Sequence, residues 1–291
     1  MQIGSTIMMQ QKDDRPIYHY TSVAGLLGML ASCKKEQPHK FLNKRATHSY
    51  YLNDPKEFKY GAQFLDTILV DVEKTLNIPS DERIAGCVDL PKVHEIQGSL
   101  EGTLGAPYIS SFTYASENLP MWGMYADNGR GVMLQFDKSQ IVDSGTIGVD
   151  CTYVNTIDDI RGNINVYTYT YKRLKEIYAQ KVNAGNMDKY EAQLAFYLNL
   201  KSILQPTIKH IAYKYEDEYR LALASNGNIN FMEKGGMIVP YIDVDIPIDA
   251  LQKVYIGPNA QSELLRNSLD LLFQSKGITA KIEVSSIQYR G

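Results

Sequence analysis

What most constrains this chain is where its strand-forming segments fall. Alternating apolar and polar residues occur near 16–20, 106–113, 131–136, 211–224, 237–246, 253–257 and 279–287, the period of a pleated strand with one face buried. The gaps between them are irregular, so the regular strand–helix–strand rhythm of a parallel doubly wound or barrel fold is absent. The expected class is α+β, with a mixed, mostly antiparallel core in one sheet or two packed ones. FLNKRATHSYYLNDP (41–55) has room for one or two further short strands, and IGVDCTYV (147–154) reads as another.

Helical spacing fills several of the gaps. Thr21 or Ser22 can cap an apolar helix over 23–33. Asp54 followed by Pro55 starts a helix that runs to about residue 75, with Phe58, Ala62, Leu65, Ile68, Leu69 and Val72 on one face. A short helix lies within 117–127, and SELLRNSLDLLFQSKG (262–277) is amphipathic and closed by Gly277. Residues 165–208 are rich in helical spacing and read as an insertion that packs outside the sheet, whereas 76–105 are weakly patterned. The expected organisation is a flexible tail over 1–15 and one α+β domain over 16–291, with the helical insertion at about 165–208.

Charge and composition exclude several classes. Hydrophobic residues at 44% and charged residues at 22% exclude wholesale disorder. A net charge of −3 gives no global cationic field, so nucleic acid is not an expected partner. Cys33, Cys87 and Cys151 are far apart and form no CxxC pair, which fits a reducing compartment. No apolar run approaches the ~18 residues of a membrane span, and residues 1–15 lack the apolar stretch of a signal peptide, so the expectation is a cytoplasmic chain without a membrane segment. His39, His48, His94 and His210 show no metal-ligand spacing, and no metal is expected. Phosphate-binding GxxxxGK[ST] loops, GxGxxG turns and GxSxG elbows are all missing. Tyrosine is in excess, 21 against 8 Phe and 1 Trp, and its apolar body with a polar tip suits half-wet clefts.

Four constellations carry chemistry. In YHYTS (18–22), His19 ends a strand and can offer a ring N–H to a ligand hydroxyl, or can simply bond backbone. In SFTYASENLPMWGMYADNGRGVMLQF (111–136), Trp122 and Tyr125 share a helical face; they form either an aromatic wall for a planar ligand or a hydrophobic anchor. Arg130 in the NGRG turn can face an anion or stay solvated. In YKYEDEYR (213–220), strand geometry aligns Glu216, Glu218 and Arg220 on one face. That face is either a solvated edge or the lining of a cleft, where an E-x-E pair suits chemistry at a sugar. In LNDPKEF (52–58), Asn53 and Asp54 start a helix.

Taken in order, YHYTS, LNDPKEF, LPMWGMYADNGRGV, YEDEYRLALA, KVYIGP and IEVSSIQYR resemble a bacterial family of domains of unknown function, number 2971, over roughly 16–290. More loosely, a histidine on the first strand, a central aromatic and a late strand glutamate resemble the His–Tyr–Glu arrangement of ADP-ribosyltransferases. That resemblance implies NAD as substrate, with His19, Tyr20 and Thr21 at a ribose and Arg220 nearby. It implies an aromatic stacked on nicotinamide, for which Tyr125, Trp122 and Tyr114 compete. It also implies Glu218 as the catalytic carboxylate, with Glu216 orienting an acceptor. The superfamily's Ser-Thr-Ser strand is present only loosely, as Ser110-Ser111-Phe112-Thr113. The expected function is therefore an ADP-ribosyltransferase-like enzyme or effector that cleaves the nicotinamide–ribose bond and passes ADP-ribose to a macromolecule or to water. The alternative is a non-catalytic domain of a bacterial defence or stress system that binds a small nucleotide ligand. A nuclease-like effector is disfavoured by the missing acidic metal cluster and basic stripe.

Overall fold

The structure is a computed structural model that describes residues 15–36, 39–52, 57–85, 107–141, 146–223 and 227–287. β1 (Ile17–Thr21) leads into α1 (Val23–Met29), where Ser22 caps the helix by accepting from the Gly25 N–H at 3.0 Å. β2 (Phe41–His48), α2 (Glu57–Thr75) and β3 (Tyr108–Thr113) follow. α3 (Leu119–Tyr125) starts at Asn118, whose side chain accepts from Met121 N–H, and leads to β4 (Val132–Phe136). The expected strand over 147–154 is two strands in different sheets, β5 (Thr146–Asp150) and β6 (Thr152–Val154). The helical stretch comprises α4 (Ile157–Arg161), α5 (Ile164–Asn183) and α6 (Lys189–Leu204), so it begins earlier than expected.

The largest departure falls at 211–224. β7 (Ile208–His210) gives way to a 3₁₀ turn over Ile211–Glu216, and Asp217 takes a left-handed conformation with φ 39°. Only then does β8 (Glu218–Leu223) begin. Glu216 is therefore in a turn and not on the strand that its alternation predicted. β9 (Asn230–Lys234), which the sequence reading did not contain, pairs with β10 (Met237–Pro247). β11 (Leu251–Ile256), α7 (Ser262–Lys276) and β12 (Lys281–Val284) complete the described chain, with Gly277 at φ 61° ending α7. The helix start expected at Asp54 and the weakly patterned segment 86–105 lie outside the described residues.

Ten strands make one sheet, in the order β12-β11-β4-β1-β3-β2-β10-β9, with β8 on the other edge of β3 and β5 beyond β8. All its pairs are antiparallel except β11 with β12. β6 and β7 form a separate parallel pair. One face of the sheet closes over Leu26, Leu42, Phe136, Leu221, Val254 and Phe273, drawing in α1 and α7. A second core joins α2, α5 and α6 through Leu65, Ile68, Leu69, Tyr171, Phe196 and Leu200. Each such burial contributes roughly 1.5–3 kcal/mol, which is why these apolar stripes fix the layers.

The sheet forks at β3. One edge of β3 pairs with β8 along its whole length. The other edge is shared: β2 pairs at Tyr108 and Ile109, and β1 pairs at Thr113. Neither strand pairs with Ser110, Ser111 or Phe112 in between. Adjacent paired strands lie about 4.8 Å apart, so β1 and β2 splay around this stretch and open a cleft.

Candidate functional site

The cleft at the fork is a cavity of about 250 Å³ lined by side chains from β1, β2, β3, β7, β8, β9 and α3. Of the residues expected to act together, His19, Tyr20, Tyr125, Glu216, Glu218 and Arg220 all line it. Two do not. Trp122 is completely buried in a small core with Tyr18, Met121 and Met133, its ring edge-on to Tyr20 at 5.0 Å. It is the hydrophobic anchor, because α3 turns its indole into the protein and leaves Tyr125 to reach the cleft. Thr21 lies where Gly131 crosses β1, and a Cβ on Gly131 would come within 2.2 Å of the Thr21 carbonyl oxygen. Both lie outside the cavity lining, so the structure does not bring them together with the other expected site residues. Tyr114 is also elsewhere, donating to Asp150 at 2.7 Å and accepting from Lys138. Arg130 pairs with Asp127 at 2.8 Å in its exposed turn, away from the cavity.

The carboxylates are buried and ion-paired. Glu216 and Glu218 are 5% and 6% exposed, so the solvated-edge alternative does not hold. β8 lies between β3 and β5, which makes it an interior strand. Lys209, from β7, bonds Glu216 Oε2 and sits 2.7 Å from Glu218 Oε2. Arg220 grips Glu218 with two bonds of 2.9 and 2.8 Å, and its third arm donates to the Pro206 carbonyl at 2.8 Å. Tyr125 donates to Glu216 Oε1 at 2.8 Å. The left-handed Asp217 makes this possible: it breaks the alternation yet swings Glu216 back beside Glu218. Burial raises the Glu218 pKa, but Arg220 and Lys209 outweigh it and hold the carboxyl down at about 2. Burial, with the Glu216 carboxylate, raises the Tyr125 hydroxyl well above its usual value.

His19 closes the fork from the β1 side. Its ring donates to the Ser111 backbone carbonyl, in the stretch of β3 that neither β1 nor β2 pairs, and packs 6.0 Å from the Phe112 ring. Burial, then the charge of Lys44, holds its pKa well below the usual imidazole value, and the bond to Ser111 only partly opposes this. The expectation that His19 bonds a ligand hydroxyl through a ring N–H meets a competitor in that carbonyl.

Sequence reasoning missed Lys44 and Lys209. Lys44 is 6% exposed, lies directly across from Val244, and makes no hydrogen bond to a described residue. Its amine lies 4.9 Å from the centre of the Phe112 ring. Such a contact is worth about 2 kcal/mol or somewhat more to a desolvated charged amine, against several for the hydration lost. Desolvation therefore prevails, and although Glu218 pulls the other way, the Lys44 pKa falls to about 7. The signal was in FLNKRATH, where Lys44 keeps phase with the buried Leu42, Ala46 and His48. Lys209 carried no comparable sign, since its role depends on where β7 docks.

Among the described residues, no group of three His, Cys, Asp or Glu could hold a metal ion, and no helix is long and apolar enough to cross a membrane. Comparison with known proteins gives a family match. No curated protein and no solved structure matches the chain, so the resemblance to ADP-ribosyltransferases has no support from that side. The match extends over 121–221, narrower than the 16–290 expected, and takes in Tyr125, Lys209, Glu216, Glu218 and Arg220: it is to the family described as protein of unknown function (DUF2971).

Proposed function

We propose that the cleft binds the phosphorylated, ring-bearing end of a nucleotide. The lining supports this reading: Arg45, Lys209, Arg220 and Lys234 set four cations, and Lys44 a fifth that is only partly protonated at neutral pH, against the two carboxylates of Glu216 and Glu218. In a chain whose net charge is −3, that is a local reversal of sign, and it favours an anion. Tyr18, Tyr20, Tyr51 and Tyr125 line the same space, offering ring faces to a base and hydroxyls to a sugar or phosphate. At about 250 Å³ the cavity is just below the range of ligand sites, which run from about 300 to 1,000 Å³. One ring or one sugar phosphate fits inside, and the rest of a dinucleotide lies along the rim by Arg45 and Lys234.

Cleavage of NAD is a second reading, favoured by the common cavity of His19, Tyr125, Glu216 and Glu218. Binding is the stronger one, because the negative charge that a ribosyl cation would draw from Glu218 is already met by Arg220 and Lys209. The test is a melting experiment with AMP, NAD and uncharged adenosine. At a hundredfold excess over Kd, a ligand of the native state adds about 2.7 kcal/mol. AMP and NAD are expected to raise the melting temperature well beyond adenosine, and Lys44→Ala and His19→Ala to shrink the rise. No shift with any phosphorylated nucleotide at millimolar concentration, in folded protein, would refute binding. Release of nicotinamide from NAD, lost in Glu216→Gln, would establish the second reading.

A further inference from the structure

Lys44 stands apart from the other cations of the cleft. Lys209 and Arg220 are matched to carboxylates by direct contacts, whereas Lys44 hydrogen-bonds to no described residue. It cannot turn to Glu218 without displacing a cation, since both Glu218 oxygens already accept from Arg220 and one also from Lys209. Nor is it a surface lysine held by water: it is 6% exposed, flanked on its strand face by Leu42 and Ala46. What exposure it has faces the cavity, of which it is a lining residue. A primary amine that is desolvated, without a salt-bridge partner and open to a ligand site has the arrangement of an amine nucleophile.

We infer that Lys44 is a carbonyl-reactive amine, which forms a reversible imine with a small anionic aldehyde or ketone bound in the cleft. The nitrogen lone pair attacks the carbonyl carbon, the nitrogen gives up one proton and the carbonyl oxygen takes one up, which gives the neutral carbinolamine. The hydroxyl then takes up a second proton, the C–O bond breaks and water leaves as the C=N bond forms, and the nitrogen releases its remaining proton. Nothing is oxidised or reduced, and hydrolysis returns both partners. The low pKa of Lys44 leaves a large share of the amine unprotonated at neutral pH, where an ordinary lysine is almost wholly ammonium. The cations around it hold the anionic group of the ligand, so the inference rests on the cleft taking an anion, as the nucleotide reading does, but requires no base.

The experiment uses pyridoxal 5′-phosphate, an anionic aldehyde, with the full chain at neutral pH. Sodium cyanoborohydride supplies hydride to any imine and fixes it as a secondary amine, which peptide mass mapping then locates. The expected result is label at Lys44 at least about tenfold above any other lysine, given the tenfold gain in free amine for each unit of lowered pKa. In urea-unfolded protein that preference should vanish. Lys44→Arg keeps the charge and should remove this label while leaving the others unchanged. Label spread evenly over the lysines of the native protein overturns the inference, whether or not Lys44→Arg folds. A nucleotide-induced melting shift without label at Lys44 also overturns it. Selective label without any nucleotide shift supports the imine and counts against the nucleotide reading alone.

Discussion

At the scale of single residues, the cleft is an electrostatic compromise among groups the sequence scatters widely. Glu218→Gln removes the one charge that both Arg220 and Lys209 contact. Breaking a buried pair in this way costs about 3–5 kcal/mol, because the cations stay buried. Glu218→Gln should therefore lower the melting temperature, and any loss of activity in it must be measured at a temperature where it is folded. The pKa of Glu218, about 2 against 4.5 for an ordinary glutamate carboxyl, places its contribution above pH 4.5, lost as pH falls toward 2. Lys44 acts in the opposite range. With its pKa lowered from 10.5 to about 7, the unfolded chain binds the extra proton, so stability rises with pH between these values. Lys44→Met should be more stable than the wild type at pH 7, with the difference narrowing by pH 10 in parallel melts; a constant difference would show that the amine is not desolvated. The glutamates were legible because YEDEYR packs several charges into a strand-like run; of the aromatic pair, Tyr125 reaches the cleft and Trp122 does not. Lys209 was not, because no local pattern reports a partner that arrives from another layer.

At the scale of elements, the strands and the turns that join them account for most of what was and was not foreseen. β1, β3, β4, β10 and β11 fall within one or two residues of their expected positions, as does α7, since each has one clear period and a cap or glycine at its end; α1 starts where expected but ends four residues early, at Met29. The stretch 211–224 misled because YKYEDEY alternates as one strand does while its first four residues close a 3₁₀ turn and only its last two begin β8; burial of Glu216 against Lys209 and Tyr125 overrides the propensity. The NGRG turn, whose Arg130 could have met an anion, serves packing instead. A Cβ at position 131 would lie 2.2 Å from the Thr21 carbonyl oxygen and 2.9 Å from that of Ala126, both backbone atoms that cannot swing away. Gly131→Ala should then destabilise by about 1–3 kcal/mol, the usual penalty of overpacking. Denaturant melts would read it, and a midpoint equal to the wild type would mean that β1 and β4 can part without loss.

At the scale of the whole molecule, two hydrophobic cores meet at the ion network. Lys209 belongs to β7, which pairs with β6 beside the helical layer, while Glu218 and Arg220 belong to the main sheet. Arg220 also reaches the Pro206 carbonyl, just beyond α6. The helices are thus tied to the sheet by the same charges that line the cleft. Lys209→Met should weaken that tie, so that amides of α5 and α6 exchange faster than those of β4 and β11; uniform exchange across both layers would show that apolar packing alone joins them. There is a wider consequence of the fork in β3. A hollow made by splaying two strands has side-chain walls carried on paired backbone, shaped before anything enters. Association then orders little of the protein, and its entropic toll falls chiefly on the ligand. Whatever loosens the strands must blunt recognition as well, so selection for tighter binding in this chain is at the same time selection for a hotter-melting fold.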